Sequence, residues 1–174
     1  HIMGWEPYEI THPPLGKIII SFGIRIFGMN PLGWRISGVL FSSLFAAVLY
    51  ALGRQILINR KWSVIFALLG CLDGLHFVQG RIATIDTYIV FFCTLSMLFM
   101  IKFYRTNILR EDTFKTLVPF ALSGIFFGLG LASKWTAMYT GAGLFIMLVI
   151  YVCKTLNEYR YAAALKEGGE LKAY

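Results

Sequence analysis

The chain has 174 residues, of which 57% are hydrophobic, 16% aromatic and only 14% charged, and its mean hydropathy is +0.68. A soluble domain carries about 25% charged residues, so this chain has too little charge to cover a water-exposed surface; a soluble domain, a disordered chain and a disulfide scaffold are excluded. The net charge of +7 does not point to nucleic acid, because a membrane protein gathers Lys and Arg on one side and they must be read by position.

The opening, His1-Ile2-Met3-Gly4, has no basic start, apolar stretch or small-residue cleavage site of a signal peptide. It is expected to belong to a longer polypeptide. Residues 1–16 read as an extracytoplasmic loop. Residues 17–27, KIIISFGIRIF, are too short to span a bilayer, which takes about 20 residues. With Arg25 inside, and Pro13, Pro14, Asn30 and Pro31 around it, the segment predicts an interfacial helix over 17–29. Five apolar stretches then predict spans at 36–53, 62–80, 82–101, 116–133 and 135–153. The whole of 30–156 reads as a five-span bundle, and 157–174 as a cytoplasmic tail or loop. The fold class is all-α integral membrane. The three cysteines, Cys71, Cys93 and Cys153, lie in or beside apolar runs and read as small buried hydrophobes.

Five spans alternate sides. Arg54, Arg60, Lys61, Lys102, Arg105, Arg110, Lys115, Lys154, Arg160, Lys166 and Lys172 fall on one side, eleven in all, against Lys17, Arg25, Arg35, Arg81 and Lys134, five, on the other. The richer side is expected to be cytoplasmic. The amino-terminal segment, the Arg81 loop and the Lys134 loop then share the outer face. Two small-xxx-small pairs, Gly70/Gly74 and Gly124/Gly128, are expected to let helices approach closely.

Several polar residues stand out. Asp73 and His76, three apart in one expected span, would share a helix face; they read either as a polar intramembrane surface or as a bonded pair locking two helices. Arg81 and Asp86 are five apart, about 140° around a helix, so they meet only if the chain turns between them. Arg81 suits phosphate or lipid headgroups. His12-Pro13-Pro14-Leu15-Gly16-Lys17 fixes an extended backbone that would present His12 and Lys17 outward. A cation at a helix start is unfavourable, so Lys17 is better explained by an anionic partner, a headgroup or a lipid-linked phosphate. Lys134 and Trp135 close a span with interfacial anchoring chemistry. No nucleotide loop, zinc-protease motif, paired CxxC or nucleophile elbow occurs. No ligand spacing identifies a metal, and a divalent-cation requirement stays open.

Taken together, THPPLGK (11–17), FGMNPLGWRISGVLF (27–41), LDGLHFVQGRIATIDTYIVFF (72–92) and GLGLASKWTAMYTG (128–141) resemble the protein O-mannosyltransferases, in family order and most like the bacterial members. The resemblance implies a GT-C-like membrane glycosyltransferase with an extracytoplasmic active site. The donor would be mannose on a polyprenyl or dolichyl phosphate, the acceptor a Ser or Thr hydroxyl of a translocated protein, and the reaction inverting. It makes Arg81, Lys134 and Lys17 candidates for the donor phosphate, and His12, Asp86 and Trp135 candidates to line the site. The family's acidic Asp-Glu pair, its presumed base, does not occur in this sequence. It is expected before His1, and this chain alone is expected to be inactive. A transferase of another sugar, such as aminoarabinose to lipid A, and a non-catalytic membrane subunit or transporter are the alternatives.

Overall fold

A computed structural model describes residues 11–57 and 59–167. Among them there are helices and turns and no strand: α1 (Leu15–Phe27), α2 (Pro31–Ile56), α3 (Arg60–Cys71), α4 (Gly74–Gln79), α5 (Asp86–Arg105), α6 (Thr113–Ser133), a 3₁₀ turn (Trp135–Ala137) and α7 (Met138–Glu167).

The breaks follow local chemistry. Gly28 stops α1 at φ +83°, a conformation that favours glycine. Asn30 then caps α2, accepting from the Gly33 amide at 3.0 Å and donating to the Phe27 carbonyl at 2.6 Å. Pro31 follows at the first helical position, where its missing N–H costs nothing. Asn59 caps α3 and Asp112 caps α6 in the same way.

The described residues make five passes along one axis. Gly53 of α2 meets Ser63 and Phe66, Gly70 meets Leu49, and Gly38 meets the Gly80 carbonyl, so α3 and α4 retrace α2 in reverse. α5 runs parallel to α2, with Tyr88 on Ser37 at 2.8 Å at one end and Arg105 on Gln55 at the other. α6 returns along α5, from Phe120 on Phe103 (4.9 Å) to Gly130 against Cys93. α7 descends again, placing Tyr151 on Phe103 at 4.3 Å. Four of the helices are long and apolar enough to cross a membrane.

The second pass corrects an expectation. Residues 62–80 are not one continuous helix, because the chain breaks between α3 and α4. Asp73 adopts extended angles and its carboxylate accepts from the His76 amide at 2.8 Å. Asp73 and His76 are therefore a helix cap and a residue of the helix it caps, not two residues three apart along one continuous spanning helix. The other expected spans match α2, α5, α6 and α7 with shifted ends, and α7 continues unbroken through residue 167.

α1 lies across one end of the bundle. Gly23 packs on the Gly33 carbonyl and Ile36, while Gly16 packs on Ile85 and Tyr88; all four partners sit at the starts of α2 and α5. Of the expected close glycine pairs, only Gly70 is crowded: Gly74, Gly124 and Gly128 have open space where a Cβ would stand. The tight α5–α6 approach uses Gly130 instead. The described cysteines are all unpaired.

Ser96 and Ser123 hold α5 to α6. Each hydroxyl donates to the other's carbonyl, at 2.8 and 2.9 Å, and Ser96 is wholly buried. Ser96→Ala is expected to lower stability by about 1 kcal/mol, read as a fall in thermal midpoint in detergent; an unchanged midpoint would leave the register to the aromatic contacts alone.

Candidate functional site

Three segments converge at the end crossed by α1: the turn 80–85 into α5, the junction of α6 with the 3₁₀ turn, and residues 12–17. At the junction Lys134 leaves the helix with extended angles, which swings its side chain towards α5. Its Nζ lies 2.6 Å from Asp86 Oδ1. Asp86 opens α5, where the helix dipole favours a carboxylate. The side chains remain 22% and 38% exposed respectively, so the pair adds at most about 1 kcal/mol to stability; its weight lies in placement.

Gly16 brings α1 to the same point. A Cβ there would lie 2.8 Å from Ile85 Cγ2, so glycine lets the start of α1 touch the start of α5. This sets Lys17 and His12 beside Asp86 and Lys134 around a cleft of about 340 Å³, completed by Ile20 and the 83–85 backbone turn. His12 Nδ1 is buried there with no partner among the described residues. A second cleft of about 650 Å³ shares His12 and Lys17 and adds an apolar wall of Leu131, Ala132 and Trp135.

Arg81 is placed elsewhere. Its guanidinium lies 5.0 Å from the centre of the Phe77 ring. It lines a cleft of about 490 Å³ with Ser42, Ser43, His76 and Gly80. His76 Nε2 bonds the Ser42 hydroxyl at 2.9 Å and its ring packs on Phe45 at 4.6 Å. The turn does occur between Arg81 and Asp86, pinned by Thr84 Oγ1 on Gln79 Oε1 at 2.7 Å, but it sends the two side chains into different clefts. His12, Lys17, Asp86, Lys134 and Trp135 are brought together; Arg81, His76 and Asp73 stand in neighbouring clefts.

A fourth cleft, about 440 Å³, lies between α4 and α5 and is lined by Asp73, His76, Gln79, Asp86 and Thr87 together with Phe45, Leu49 and Val90. Ser42, Gln79, Thr84 and Thr87 escaped sequence reasoning. Thr87 had a usable signal in being next to Asp86, whereas a hydroxyl in an apolar run such as Ser42 carries none. No group of three or more His, Cys, Asp or Glu among the described residues could hold a metal ion.

A bundle of this kind, apolar along its length and presenting cations, a carboxylate and a histidine around a cleft at one end, is an integral membrane protein. Residues 27–161 match the Dolichyl-phosphate-mannose-protein mannosyltransferase family, and the chain belongs to that family. The match includes Asp73, His76, Arg81, Asp86, Lys134 and Trp135, while His12 and Lys17 lie before it.

Among curated proteins, the chain is similar to a polyprenol-phosphate-mannose–protein mannosyltransferase of Corynebacterium glutamicum, 29% identical over 145 residues, covering 75% of this chain and 28% of that protein. The protein of that name from Mycolicibacterium smegmatis is 25% identical over 167 residues, 86% of this chain and 32% of its own length. An undecaprenyl phosphate-alpha-4-amino-4-deoxy-L-arabinose arabinosyl transferase of Pseudomonas paraeruginosa is 31% identical over 97 residues, 56% of this chain and 17% of that protein. The chain thus spans about three tenths of the length of the two mannosyltransferases. No solved structure matches.

Proposed function

We propose that this protein transfers mannose from a polyprenyl-phosphate carrier to Ser or Thr hydroxyls of translocated proteins, with inversion, at the outer face of a bacterial cell membrane. The observation that carries this is the convergence of His12, Lys17, Asp86 and Lys134 on one cleft at the bundle end with fewer basic residues. Arg54, Arg60, Lys61, Lys102, Arg105, Arg110 and Lys115 all fall at the opposite end; by the positive-inside rule that end is cytoplasmic and the cleft extracytoplasmic.

The chemistry follows from charge. The acceptor oxygen forms a bond to the anomeric carbon as the bond from that carbon to the phosphate oxygen breaks. Negative charge then grows on the departing lipid phosphate, and fixed cations stabilise it most at that moment. Lys134 and Lys17 supply them in the cleft, with Arg81 as a third candidate close by. The wall of Leu131, Ala132 and Trp135 suits the isoprenoid chain. The hydroxyl proton must pass to a carboxylate. Asp86 already holds Lys134, which makes it a positioning residue, and the base is sought in the acidic pair that the family resemblance implies.

The test uses the intact protein in its membrane with radiolabelled polyprenyl-phosphate mannose and a Ser/Thr peptide. Label is expected on the peptide. Similarity to the arabinosyl transferase favours one second reading, a different sugar on the same lipid phosphate. Label transfer from an aminoarabinose donor but not from the mannose donor would select it.

A further inference from the structure

The cleft between α4 and α5 is not used by the phosphate chemistry above. Its lining is mixed: Asp73, His76, Gln79, Asp86 and Thr87 supply polar groups, and Phe45, Leu49, Gly70, Leu75 and Val90 supply an apolar wall. Asp86 also lines the cleft of Lys134. A molecule anchored by its charge at Lys134 therefore reaches this second space past a single side chain.

Charge decides what enters. Two carboxylates face the cleft and no Lys or Arg lines it, so an anion is repelled. A neutral group suits it, one that offers hydroxyls to its few polar atoms and carbon to a lining that is mostly apolar. Asp73 uses Oδ2 to cap α4 and Asp86 uses Oδ1 on Lys134, which leaves each a second oxygen as acceptor. Gln79 accepts from Thr84 through Oε1, leaving its amide N–H groups as donors. Thr87 is 2% exposed and its Oγ1 has no partner among the described residues. A buried hydroxyl left unbonded is costly, and a ligand hydroxyl removes that cost. The space, about 440 Å³, is ample for one hexose.

We infer that this cleft receives the sugar of the lipid-linked donor, with the Thr87 hydroxyl bonding one sugar hydroxyl and Asp86 forming the wall between sugar and phosphate. This rests on the proposed function and names the part of that site that selects the sugar. Thr87 is a specificity residue; it follows Asp86 in the first turn of α5, so the Lys134 ion pair also fixes its position.

The test compares polyprenyl-phosphate mannose with its 2-, 3-, 4- and 6-deoxy analogues in the intact protein. A site that hydrogen-bonds a hydroxyl rejects the analogue lacking it. The wild type is expected to disfavour at least one deoxy donor by about tenfold or more in kcat/KM. Thr87→Val, near in shape, is expected to erase that preference for one analogue, and Thr87→Ser to keep it. Unchanged ratios in Thr87→Val, with mannose still transferred, overturn the inference and leave the proposed function standing. A wild type that transfers no mannose overturns both. Should Thr87→Val fail to insert, Gln79→Met reads the same ratios: a shifted ratio supports the sugar pocket, and an unshifted one overturns it.

Discussion

Lys134→Met is expected to lower the rate of mannose transfer by roughly 10²- to 10³-fold, the scale seen when one group stabilising a developing oxyanion is removed. The methionine keeps most of the length of the side chain and removes its charge. The loss should fall mainly on kcat, since the leaving phosphate gains charge as the bond breaks. Lys134 also sits 2.6 Å from Asp86, so the single change frees a carboxylate beside the phosphate and adds repulsion to the lost attraction. Asp86→Asn separates the two: with Lys134 present, it should cost less, because the cation stays and only its placement loosens. In the double variant the repulsive part is absent, and the combined loss is expected to be smaller than the product of the single losses. If Lys134 is only an interfacial anchor, Lys134→Met will change insertion and leave donor kinetics as they were.

How much of this was legible beforehand differs by the kind of interaction. The 116–133 stretch, flanked by Lys115 and Lys134, was readable almost to the residue as α6 (Thr113–Ser133), because charges cannot enter the hydrocarbon cheaply. Hydropathy failed at 62–80, where α3 and α4 are separate. An apolar average does not register a cap, and yet Asp73 before Gly74 is a helix-start signal in the sequence itself. The two prolines and Gly16 predict His12 and Lys17 presented outward; instead both line a cleft, and His12 Nδ1 is buried. The partnership of Lys134 with Asp86 was not readable, since 48 residues separate them and only the packing of α5 on α6 brings them together. Gly124/Gly128 show the same limit from the other side: the spacing allows a close approach, but the tight contact forms at Gly130, two residues beyond Gly128 and nearer the site.

Arg81→Ala is expected to lower transfer by about 100-fold while insertion stays intact. Arg81 stands on the Phe77 ring at 5.0 Å, a geometry that holds a guanidinium in one orientation and leaves its N–H fork free to grip oxygen. Arg81→Lys should recover little, because an ammonium keeps the charge and loses both the fork and the stacking. Arg81 and Lys134 line separate clefts, so if each acts on a different group the double variant will lose the product of the two factors, with free energies adding to within about 0.5 kcal/mol. If the donor phosphate bridges the clefts, either cation alone will leave it half-held, and the double loss will fall well short of that product. Transfer at the wild-type rate by Arg81→Ala would remove Arg81 from the site and leave its cleft to lipid headgroups.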